Sequence, residues 1–172
     1  MNLIFKTLLS FFIFSRAFTA ELLYDVYGYY DFITFFKVSE TRNYIVYDNK
    51  VITLTNIGVS GKSHCTGILE VENGETFASN IMCKFTESNG DTNFTQFKTD
   101  RGSFQEGAGV NSFIFVSGEG RWEELIGQKC IGAFADITGF EKDFKGATFE
   151  WKGKCQMADK TFERLKNYKK PE

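Results

Sequence analysis

Few side chains in this 172-residue sequence have the chemistry for catalysis or ligation. His64 is the only histidine, which excludes multi-histidine metal sites and leaves one candidate for imidazole acid–base work; beside Cys65 near a strand start, it reads as a surface residue. Cys65, Cys83, Cys130 and Cys155 could form two disulfides, stay as buried thiols or hold a metal as four thiolates. Thiolate sites usually draw on C-x2-C pairs, and the chain has none, so disulfides are the favoured reading. The segment Glu87-Ser-Asn-Gly-Asp91 has the oxygens of a calcium loop but not the alternation or closing Glu of an EF-hand, and reads as a turn. Glu123 and Glu124 are adjacent and would point opposite ways on a strand, which does not suit paired-carboxylate hydrolysis. Ser112 and Ser117 lie in no nucleophile elbow. Gly118-Glu-Gly120 lacks a third glycine, and Glu119 would repel phosphate. Asn93-Phe94-Thr95 matches a glycosylation sequon. These residues assign no catalytic set, no metal site and no cofactor.

The cysteines also say where the chain must turn. Residues facing each other across a hairpin lie symmetrically about its centre. Cys65 and Cys83 centre on Gly74, inside Glu72-Asn-Gly-Glu75, and Asn-Gly between β-type runs is a strong hairpin signal. Cys130 and Cys155 centre between Lys142 and Asp143, inside the longer polar turn Gly139–Phe144. The expected bridges are therefore Cys65–Cys83 and Cys130–Cys155.

The elements carrying these residues read as strands. Short runs rich in β-branched and aromatic residues (43–47, 51–55, 66–71, 92–97, 111–116 and 148–151) are separated by turn signals, which argues for an all-β sandwich or barrel. Glycine supplies the punctuation, because the only proline is Pro171; glycines inside runs suggest bulges or tight bends. Residues 22–36 carry tyrosine and phenylalanine on both faces and fit either a buried strand or a short helix across a barrel end. Only the C-terminal end looks helical, with Ala158, Phe162 and Leu165 on one face between Met157 and Tyr168.

The division expected is a signal peptide at 1–20, a β-barrel domain at 21–156 and a helix with a basic tail at 157–172. Lys6 and Arg16 interrupt the leading apolar segment, which favours a cleaved signal over a membrane anchor, with small residues near Ala17 and Ala20 for cleavage. The expected location is secreted or periplasmic, with no stable membrane insertion after signal removal. Without Lys6 and Arg16 the chain keeps 18 basic against 22 acidic residues, which argues against a nucleic-acid partner. Seven basic residues from Lys152 to Lys170 read as a solvated terminal helix with a frayed end. Oligomeric state is left open.

Two stretches carry a family resemblance. One is Cys83-Lys-Phe-Thr-Glu-Ser-Asn-Gly-Asp-Thr92. The other runs from Gly107 through Phe113-Ile-Phe115, Gly118-Glu-Gly-Arg-Trp122, Leu125 and Gly127 to Phe134. Together they resemble the allene oxide cyclase and dirigent barrel-like group, most of all its small secreted bacterial members of unknown role. The resemblance implies an antiparallel, closed or nearly closed, calycin-like β-barrel, which with the reading above ends in a short C-terminal helix. It transfers no cyclase activity, because no cavity proline is available to match. Independently of any family, Gly118 and Gly120 would allow positive φ for a reversal, Trp122 and Leu125 would cap the barrel end, and Gly127 would lead into the next strand.

A barrel of about eight strands holds side chains or one small ligand. Phe94, Phe113, Phe115, Phe134, Phe149 and Trp151 are the pocket candidates, and a hollow barrel requires Phe113 and Phe115 to border the void. The functional expectation is a binding module for a small apolar ligand. The alternatives are a filled barrel acting as a structural or interaction protein and, with less support, a cyclase- or isomerase-type enzyme, which would need an inward ionisable or amide group.

Overall fold

Pairing of the last strand with the first closes this chain on itself, with alternate residues of each strand turned inward. The computed structural model describes residues 19–103, 106–137 and 146–171, apart from the side chains at 31–33 and 101. Its strands are β1 (Thr19–Lys37), β2 (Arg42–Thr55), β3 (Ser60–Glu72), β4 (Glu75–Glu87), β5 (Thr92–Ser103), β6 (Ala108–Gly118), β7 (Lys129–Asp136) and β8 (Ala147–Ala158). They pair in sequence order, all antiparallel, and β8 returns to β1 to close the barrel. A 3-10 turn, Gly120–Leu125, joins β6 to β7, and helix α1 (Asp159–Asn167) follows β8. The segment 22–36 therefore belongs to a strand. The expected signal at 1–20 lies outside the described residues up to position 18, as does the turn around Lys142 and Asp143.

The stagger of the barrel sets its width. The row of facing residues that starts at Leu22 passes through Cys155, Cys130, Phe113, Phe97, Ile81, Gly67 and Tyr47 and returns to β1 at Phe32, roughly ten residues further on. Eight strands at that stagger tilt enough to leave an interior the size of a small ligand.

Both disulfides lie inside this interior. Cys65–Cys83 joins β3 to β4 with Cα atoms 4.0 Å apart, and Cys130–Cys155 joins β7 to β8 at 4.4 Å. The first hairpin differs in one detail from symmetry about Gly74. Asn73 and Gly74 both take positive φ (53° and 83°), so the loop is a two-residue turn. An extra residue, Phe77, between the pairs Val71–Thr76 and Glu70–Ala78, restores the register that brings Cys65 opposite Cys83.

One end is plugged. Trp122 and Leu125, each 1% exposed, cover it together with Leu22, Val59, Phe85, Met157 and Leu165 of α1. Gly120 has φ 59° as expected, but Gly118 is required for a different reason: a Cβ there would lie 2.8 Å from the Trp122 backbone. Glu123 and Glu124 sit in the 3-10 turn and not on a strand, and Arg164 of α1 makes a two-pronged pair with Glu124.

The tail beyond α1 is not a frayed end. Arg121 reaches α1 by donating to the Leu165 carbonyl (2.6 Å), and its guanidinium lies 4.9 Å from the Tyr168 ring centre. Lys170 pairs at 2.8 Å with the buried Asp91. Burial alone would raise the Asp91 pKa, but hydrogen bonds from Lys170, Tyr168 and Asn89 outweigh it and hold the group below the ordinary carboxylate range. Glu87 accepts from the Trp122 indole at 3.0 Å and pairs with Arg121 at 3.0 Å; burial is the larger influence there and pushes its carboxyl upward. Glu87-Ser-Asn-Gly-Asp91 is the β4–β5 turn that the sequence suggests, closed by Asp91 N–H donating to Asn89.

Among the described residues, no helix is long and apolar enough to cross a membrane. Outward positions interleave Asp25, Lys50, Lys62, Lys84 and Lys152 with exposed apolar residues such as Ile52 and Met82.

Candidate binding cavity

The barrel is hollow above its plugged end, with an internal cavity of about 170 Å³. Its walls are the inward rows of the strands. On β6 these are Asn111, Phe113 and Phe115, two residues apart and hence on one face. Phe113 is the hub of the packing: its ring centre lies 5.8 Å from Tyr24, 4.7 Å from Phe97, 5.4 Å from Phe115 and 5.6 Å from Trp151. Such tilted and edge-on contacts are the arrangements that aromatic quadrupoles favour.

Trp151 fits inside only because the wall beneath it is bare. Its indole lies against β7 and its own strand, where a Cβ on Gly132 would come within 2.3 Å of the ring and one on Gly153 within 2.0 Å. Two glycines facing each other across β7 and β8 thus create the slot for one of the two tryptophans lining the cavity. Its N–H is satisfied by the Asn111 side-chain oxygen.

Of the six candidates, Phe113, Phe115, Phe134, Phe149 and Trp151 border the cavity. Phe94 does not. It lies on the outer wall of β5, 37% exposed, with the Lys84 ammonium 5.8 Å from its ring centre. The reason is parity: Phe94 and Phe97 are three residues apart, so one strand cannot turn both inward, and Phe97 takes the interior. The inward row of β5 is Asn93, Thr95, Phe97 and Thr99, mostly polar. Asn93, 3% exposed, faces the interior, which shuts the apparent sequon away from the surface.

Sequence reasoning missed Tyr24, Tyr30, Tyr47 and Asn49, which also line the cavity. The only signal in the sequence was the aromatic density of residues 22–36, where Tyr24 and Tyr30 face inward while Tyr27 and Tyr29 are exposed. Tyr24 Oη and Asn49 Oδ1 are buried and have no hydrogen-bond partner among the described residues. Burial pushes the Tyr24 phenol upward, so it stays protonated as a potential donor.

The end opposite the plug is lined by half-buried groups, among them Tyr30, Phe134, Asp136 and Phe149. There the Tyr30 hydroxyl donates to Asp136 at 2.8 Å, binding β1 to β7 across β8. Burial raises the Asp136 pKa, and the Tyr30 hydrogen bond opposes part of that rise. His64 faces out, its side chain 58% exposed and paired with Asp48, in keeping with a surface residue.

An inward carboxyl and several inward amides are therefore present. The carboxyl can hold a proton at the mouth, but among the described residues no nucleophile–base pair accompanies it and no group of three metal-ligating side chains occurs. No family model, curated protein or solved structure matches this chain.

Proposed function

We propose that this protein is a secreted or periplasmic binding protein that takes one small, mainly apolar ligand into the interior of its barrel. The observation that carries this reading is the open space of about 170 Å³, walled by aromatic rings and presenting two buried polar atoms, Tyr24 Oη and Asn49 Oδ1, without a partner among the described residues. A buried polar group without a partner costs on the order of 1–3 kcal/mol, and a ligand hydroxyl or amine that meets it recovers that cost. A purely structural barrel has no need of such a space and would gain by filling it. Cavities of roughly 150 Å³ hold a single benzene-sized ring, so the ligand has one ring or a short chain. The apolar leader and the two disulfides support an oxidising destination.

The test is native mass spectrometry of the protein from its own compartment, together with tryptophan-fluorescence titration of single-ring probes. A co-purifying small molecule, or saturable binding abolished in a folded Val51→Phe variant that fills the cavity, supports the reading. Binding undiminished in that variant would place the ligand elsewhere.

A further inference from the structure

Among the described residues, Asp136 is the only acidic side chain lining the cavity, and no Lys, Arg or His lines it. Its carboxyl is half-buried and positioned from two sides. The Tyr30 hydroxyl donates to one oxygen, and the other lies over Gly107, where a Cβ would come within 2.4 Å of it. The Gly107 backbone, at φ 60°, accepts from the Asp136 N–H at 2.7 Å, so the β5–β6 turn and the end of β7 hold the side chain together. Its only side-chain partner is thus a neutral hydroxyl, and no counter-cation offsets the charge among the described residues. Aromatic rings surround it: Tyr30 is 5.4 Å from Phe149 and 6.5 Å from Tyr47 by ring centres, and Phe134 borders the same space.

A carboxylate kept partly out of water without a cationic partner is costly unless something else supplies the charge. Aromatic faces beside it attract the same kind of group, since their negative quadrupoles favour cations. Resting on the reading of the barrel as a ligand carrier, we infer that the ligand is an organic amine. Its ammonium head pairs with Asp136 among the rings at the mouth, and its apolar body enters the cavity against Phe113 and Trp151. A carboxylate ligand would be repelled there, and a neutral one would leave the Asp136 charge unpaired. A metal ion is not favoured, because a lone carboxylate supplies too few ligands.

The experiment compares three probes that share one ring and a two-carbon chain, 2-phenylethylamine, 2-phenylethanol and phenylacetate, by calorimetric titration of the disulfide-intact protein at pH 7. The amine should bind about tenfold or more tighter than the alcohol, and phenylacetate weakest of the three. In Asp136→Asn, which keeps an acceptor for Tyr30, the amine-to-alcohol ratio should fall to within about twofold. Should that variant not fold, the probe series on the wild-type protein decides alone. Equal affinity of amine and alcohol would overturn the inference and leave the carrier reading standing. Absence of binding by all three would overturn both.

Discussion

Replacing Phe113 by alanine should be among the most damaging substitutions in the barrel, whereas the same change at Phe94, on the neighbouring strand, should be almost harmless. Phe113 is 4% exposed and touches four other rings; Phe94 is 37% exposed on the outer wall. Buried Phe→Ala changes cost about 3–5 kcal/mol, from lost transfer energy and the new void. Phe113 belongs near the lower end of that range, because one side already borders the cavity and has no packing atoms to lose. Its partners also keep contacts with one another, as between Phe97 and Trp151 at 5.9 Å. The expected loss is therefore about 3 kcal/mol, a large part of the 5–15 kcal/mol typical of a domain. With an m-value of about 2 kcal/mol/M, the urea midpoint should fall by about 1.5 M, against less than about 0.5 M for Phe94→Ala. Equilibrium urea unfolding followed by far-UV circular dichroism measures both. Equal losses, or a larger loss at Phe94, would mean that the faces of β5 and β6 are assigned the wrong way round.

Two further outcomes follow from the same geometry. Gly132→Ala should lower stability by about 1–3 kcal/mol and shift the tryptophan emission, because the added methyl meets both the Trp151 ring (2.3 Å) and the Lys152 carbonyl (2.5 Å). An unchanged melting temperature and spectrum would show that the indole does not lie on that wall. Asp91→Asn should be less stable than the wild type at pH 7, with the gap closing as acid is added. The Asp91 pKa is lower folded than unfolded, so its contribution is present above the unfolded value and is lost as pH falls below the ordinary carboxylate range and through the folded one. Melting curves of both proteins across that range check the sign, and a gap independent of pH would exclude the Asp91–Lys170 clasp as its source.

Much of the architecture was legible in local chemistry. Asn73-Gly74 demands a tight turn because both residues must take positive φ, and the cysteine spacings then follow from antiparallel pairing. The 3-10 connection showed itself through Gly120 and the two apolar residues, Trp122 and Leu125, that plug the end. Residues 22–36 were not legible, because a barrel strand here carries aromatics on both faces and alternation gives no contrast. Phe94 misled for a related reason. The inward positions beside it are Asn93 and Thr95, so hydrophobicity pointed to the wrong parity, and only the pairing of Phe97 with Ile81 and Phe113 reveals the face.

The sequence by itself pointed to most of the strands, the Asn73-Gly74 turn and the two disulfide pairings, since each depends on residues adjacent in the chain or across one hairpin. Tertiary structure alone decided the cavity, the docking of the tail through Asp91 and Lys170, and the meeting of Tyr30 with Asp136 across 106 positions of sequence. These depend on how far the strands are staggered when β8 returns to β1. That stagger is a property of the closed ring of hydrogen bonds and is written in no single strand.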